Sequence, residues 1–156
     1  MKNYFTLATL ASIASVLSFS AAPQANAHCQ VPCGIYSDDT VLIDLKTHQK
    51  TIAKAMDEIN TLSKDPSQNA HQLTRWVNNK EEHATKIQDT MCQYFLAQRL
   101  KLAEGEANVE TYQKKLALIH KIIVYAMRCK QKTDVGHAQK LNKAIDEFTK
   151  AYKASK

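Results

Sequence analysis

Along residues 37–64, SDDTVLIDLKTHQKTIAKAMDEINTLSK, the positions Val41, Leu45, His48, Ile52, Ala55, Ile59 and Leu62 recur in alternating steps of four and three. That spacing lines one face of a helix and turns the polar residues outward. Ser37, Asp38 and Asp39 stand at its start, where short oxygen-bearing side chains cap a helix and negative charge suits the positive end of its dipole. KDPSQN ends it, because Pro66 disfavours helical backbone at Asp65. A second stripe of Leu73, Val77, Lys80, Ala84, Ile87, Met91 and Phe95 predicts a helix from about Ala70 to Ala103, with the stretch after Phe95 open to a break. Lys80 is its charged interruption, Trp76 and Met91 are read as core, and Gly105 supplies a stop.

Val109, Tyr112, Leu116, Ile119, Ile123 and Ala126 mark a third helix. After the connection KTDVGH, which contains Gly136, a fourth carries Ala138, Leu141, Ile145, Phe148 and Tyr152. The stripes repeat near 3.5 residues, the period of helices packed at shallow angles. Short connections make neighbours antiparallel, so the prediction is an all-α, up-down four-helix bundle. No alternating strand pattern competes with it.

Composition agrees: 156 residues suit one domain, and three Gly and three Pro are few for a chain of loops and strands. The formal net charge of +6 is spread along helix faces rather than gathered in a basic block, which argues against nucleic-acid binding. A modest positive field would still gather a small anion.

Residues 1–27 differ in kind. Lys2 precedes an apolar run from Tyr4 to Phe19, and Ala25-Asn26-Ala27 follows. A basic start, a short apolar segment and an A-x-A site describe a secretory signal peptide, and the run is short for a membrane span. Cleavage after Ala27 would leave a chain starting at His28, periplasmic or secreted and free of the membrane. The domain reading is thus a removed signal over 1–27 and a bundle domain over 28–156, led by an irregular arm at 28–36.

The arm, HCQVPCGIY, places Pro32 and Gly34 where neither helix nor strand can form easily. If cleavage frees the amine of His28, that amine and the Cys29 amide nitrogen close a five-membered chelate ring on a metal. The same amide nitrogen and the Cys29 sulfur close a second. A turn through Pro32 can bring the Cys33 sulfur to the remaining in-plane position, and the His28 imidazole can reach an axial one. A planar set of two nitrogens and two sulfurs selects nickel or copper over zinc, magnesium or calcium. Two thiolates would draw copper down to Cu(I), whereas nickel gains access to Ni(III). There is no C-x-x-C-H haem signature and no second zinc-type ligand pair. Spacing alone also fits a Cys29–Cys33 disulfide in an oxidising compartment; the His at the new terminus and the Pro and Gly around the second thiol favour the metal.

HCQVPCGIY resembles the N-terminal hook of nickel superoxide dismutases, His-Cys-x-x-Pro-Cys-Gly-x-Tyr, and RWVNNKEEHATKIQDTMCQYF is similar to that family's second helix. The resemblance implies a four-helix bundle assembled into a homohexamer, with superoxide as substrate and a nickel ion cycling between Ni(II) and Ni(III). It implies His28, Cys29 and Cys33 as metal ligands and Tyr36 as the residue bordering the open face. Asp44 stands where a longer Glu would support the axial imidazole, and Gln30 replaces an acidic residue of some members. The alternative is a secreted nickel- or copper-binding bundle without turnover.

The remaining histidines, His48, His71, His83, His120 and His137, are read as surface or core residues, with His83 the one placed to approach an arm folded over the bundle. Cys92 and Cys129 are read as separate and buried. In a hairpin centred near Gly105 they are offset by about 16 Å along the axis, beyond the reach of a disulfide.

Overall fold

The computed structural model describes residues 38–103 and 108–154. They form four helices: α1 (Asp38–Leu62), α2 (Pro66–Asp89, continued as a π-helical segment over Thr90–Arg99), α3 (Val109–Gln131) and α4 (Val135–Lys153). Each helix packs on the next, and α1 also packs on α4, closing the ring. The cross-helix bonds give the directions. Asp38 at the start of α1 meets Tyr152 near the end of α4, while Asn60 near the end of α1 reaches the Thr133 carbonyl before α4 begins. The architecture is the antiparallel four-helix bundle that the stripes predict.

Local chemistry places the ends. Asp65 caps α2, its Oδ1 accepting from the Gln68 N–H at 3.3 Å, and Pro66 occupies the first turn, where its missing N–H costs nothing. The second helix therefore starts at Pro66 rather than near Ala70. Asp134 caps α4 by accepting from the Gly136 N–H at 2.9 Å, so Gly136 belongs to the first turn of the helix and not to the connection.

The core is formed by Leu45, Ile52, Met56, Ile87, Met91, Phe95, Ile119, Ile122, Leu141, Ile145 and Phe148, all buried. Every expected position of the fourth stripe is buried. On the other helices the buried face is wider than a single stripe, taking in Leu42, Gln49 and Met56 on α1 and Leu118, Ile122 and Cys129 on α3. Val109 and Leu116 turn out exposed. Val77 is exposed as well, and Trp76 is only half-buried, with the Lys54 ammonium 5.7 Å from its ring centroid. The reason is register: Lys80 stands level with the C-terminal end of α3, so α2 upstream of it runs past that helix with less to pack against.

Lys80 is itself the most informative core residue. It is only 3% exposed, and its ammonium donates to the Cys129 carbonyl at 2.7 Å, to the Lys130 carbonyl, and to Glu81 at 2.9 Å. The last carbonyls of a helix have no partner within it and carry its negative pole. A lysine from α2 supplies two donors there, which makes the charged interruption of the stripe a cross-helix cap. Lys80→Met should lower stability by about 1–3 kcal/mol, since it leaves buried carbonyls without donors; the check is the denaturant midpoint, with an unchanged slope.

Candidate functional site

The chain enters the bundle at Asp38, two residues after Tyr36, and the structure builds a polar cluster there. The Asp38 carboxylate accepts from the Tyr94 hydroxyl and from the Tyr152 hydroxyl at 2.9 Å, and it pairs with Arg99 Nε at 3.1 Å. Arg99 lies over the Tyr94 ring, 4.9 Å from its centroid, and donates to the Tyr94 oxygen at 3.0 Å. Beneath, Phe95 makes edge-on contacts with Phe148 and Tyr152, with ring centroids 4.9 and 5.3 Å away.

Tyr94 and Arg99 meet because Thr90–Arg99 is wound as a π-helix, closed by the Leu100 N–H donating to the Phe95 carbonyl at 2.8 Å. Residues five apart share a face in that winding, whereas in an α-helix they point well apart. Counting in threes and fours therefore could not pair them. The i, i+5 spacing of a tyrosine and an arginine was the only available signal. Beside the cluster lies an open cleft of about 730 Å³ whose wall includes Asp38, Arg99, Lys101, Lys115, Tyr112 and Tyr152.

Burial acts on the ionisable groups of this end. The Tyr94 and Tyr152 phenols are raised above their ordinary value, first by desolvation and then by the hydrogen bond to the Asp38 carboxylate. Both therefore stay protonated as donors.

Asp44, expected beside the hook imidazole, is exposed on α1, one turn before His48. His48 Nδ1 lies 2.9 Å from His83 Nδ1 across the α1–α2 interface. This pairing is not legible in the sequence, which sets His48 on the α1 stripe and marks His83 only as the histidine placed to approach the arm. His48 is held below its usual value by burial and by the neighbouring His83, and His83 by burial and the nearby Lys86. Met91 is buried as expected. His28, Cys29, Cys33 and Tyr36 lie outside the described residues. Among the described residues no three His, Cys, Asp or Glu side chains come together to hold a metal ion, and no helix is long and apolar enough to cross a membrane.

The two cysteines of the bundle are free. Cys129, level with Lys80, is about 18 Å along the axis from the level of Cys92, which agrees with the expected separation. Cys129 is buried, while Cys92 is only half-buried. Burial pushes the Cys129 thiol up to about 11, against the pull of the Lys80 charge. It remains a thiol, a poor metal ligand.

The sequence profile of nickel-containing superoxide dismutases matches residues 23–156. The chain belongs to that family. It is a nickel-containing oxidoreductase that disproportionates superoxide into oxygen and hydrogen peroxide. No individual curated protein and no solved structure matches it.

Two outcomes test the geometry described. Asp38→Asn should cost about 1–3 kcal/mol by leaving the Arg99 charge uncompensated and weakening two phenol bonds, read as a lowered denaturation midpoint. The second concerns alkaline pH. The folded Cys129 holds its proton to about pH 11 while the unfolded thiol releases it near 9.0. Stability from this group is thus complete below about pH 9 and falls by up to about 2–3 kcal/mol as pH rises to 11; the raised phenols act in the same sense above pH 10. Stability curves of Cys129→Ala should be flatter than the parent's across that window.

Proposed function

We propose that the nickel is held by the arm at 28–36, with ligands from His28 (amine and imidazole), Cys29 (amide nitrogen and sulfur) and Cys33 (sulfur). One observation carries this reading: HCQVPCGIY is the only stretch that sets two thiols and an imidazole within six residues, and it sits at the start of the family match, which begins at Pro23. The bundle offers little competition among its described residues, since its thiols are far apart and one is held protonated. The donor set would suit nickel, because thiolates and a deprotonated amide stabilise its higher oxidation state. Nickel supplies the one-electron Ni(II)/Ni(III) couple.

The other parts of the chain supply placement and access. Two superoxide anions and two protons become one oxygen and one hydrogen peroxide. Tyr36 borders the open face, where its phenol can order water or product. Asp44 supports the His28 imidazole with a carboxylate one methylene shorter than the family's Glu. The cleft beside Asp38 carries Arg99, Lys101 and Lys115 against a single carboxylate, a charge balance that draws in an anion.

The proposal extends to processing and assembly. Residues 1–27 act as an export signal whose removal after Ala27 frees the His28 amine, so the enzyme works in the periplasm or outside the cell, off the membrane. A homohexamer follows the family resemblance, and the exposure of Ile43 (64%) and Leu102 (79%) leaves apolar surface for subunit contacts.

Adding one residue before His28 should abolish dismutation while leaving the helical circular dichroism unchanged, because the amine moves out of chelating reach. Cys29→Ser and Cys33→Ser should each do the same, a hydroxyl being a poor donor to Ni(III). N-terminal sequencing and metal analysis of the mature protein complete the test; full activity in the extended protein overturns the reading.

A further inference from the structure

The paired imidazoles of His48 and His83 belong to no part of the reading above. The geometry points to a second, exchangeable site there for a divalent transition ion of the kind imidazole prefers, bridging α1 and α2. The two Nδ1 atoms are 2.9 Å apart, with ring centroids at 4.9 Å and the planes inclined by 67°. Two nitrogens bound at about 2.0–2.1 Å and at right angles on one ion are about 2.9 Å apart, opening to about 3.3 Å at a tetrahedral angle. The pair thus already has the separation of two cis ligands, and small ring rotations aim both lone pairs at one point.

The protonation states fit as well. A contact between two Nδ1 atoms has room for one N–H, so one ring donates and the other accepts. An incoming ion takes the place of that hydrogen, which moves to Nε2 of the donating ring; both rings stay neutral and no net proton is released. Burial, the main cause holding both rings below their ordinary value, keeps them in this ligand-competent form. The charged groups that face the pair are Asp44 on α1 and Glu82 and Lys86 on α2, with Lys86 bridged to Glu82 at 2.6 Å. Two carboxylates against one ammonium leave the surroundings mildly negative. No third His, Cys, Asp or Glu donor converges among the described residues, so water completes the coordination and the ion exchanges freely. Neutral nitrogen donors favour zinc, nickel or copper over magnesium or calcium.

The test uses the mature, nickel-loaded full chain, freed of loose metal and titrated with zinc chloride by calorimetry, with bound nickel measured alongside. A zinc equivalent should bind without loss of nickel, and the imidazole NMR signals of His48 and His83 should shift with it. His48→Ala and His83→Gln should each weaken zinc by at least about tenfold with unchanged circular dichroism; the milder second variant keeps the test open if the first folds poorly. A Cys29→Ser/Cys33→Ser protein, stripped of nickel, should keep the zinc site, which separates this proposal from the hook. Zinc uptake only at the expense of nickel, only at millimolar concentration, or undiminished in both histidine variants overturns it.

Discussion

The Asp38 carboxylate is drawn from three directions at once, by the Tyr94 phenol, the Arg99 guanidinium and the Tyr152 phenol. Those groups come from the π-helical end of α2 and the last turn of α4, so one anion fastens three of the four helices at the end where the chain enters. Each bond is stronger for being charge-assisted, and the aromatic layer under it limits water. Without that fastening, the first turn of α1 would be free to fray, as helix ends do.

The bundle and the redox chemistry have different requirements. Helices packed through Leu, Ile and Phe exclude water and offer few donors. Where a charge does enter, as at Lys80, it is used up on the carbonyls at the end of α3. The proposed nickel ligands include an amine and an ionised backbone amide, neither of which a helix interior can give. A terminus released by cleavage can give both, which is the physical reason for locating the proposed ligands outside the helices.

Much of this was legible from periodicity. Four helices, their antiparallel order, the break at Pro66 and the separation of Cys92 from Cys129 all follow from apolar spacing and rise per residue. The family could be read from nine residues of the arm. What escaped was of three kinds. Stripes assume that a helix is flanked along its whole length, so Trp76 and Val77, on the part of α2 that runs past α3, were wrongly placed in the core. They also assume α-winding, so the Tyr94–Arg99 partnership, five residues apart, was out of reach. The pairing of His48 with His83 depends on the register between two helices, which one-dimensional spacing does not contain.

The reaction releases hydrogen peroxide next to a protein that contains sulfur. Peroxide attacks the thiolate rather than the thiol. Cys129, enclosed by the helices and holding its proton to about pH 11, is therefore shielded twice, by lack of access and by lack of nucleophilicity. The scaffold can thus outlast many turnovers of an oxidant it generates itself, and Cys92, nearer the surface, marks where damage to the helical body would begin.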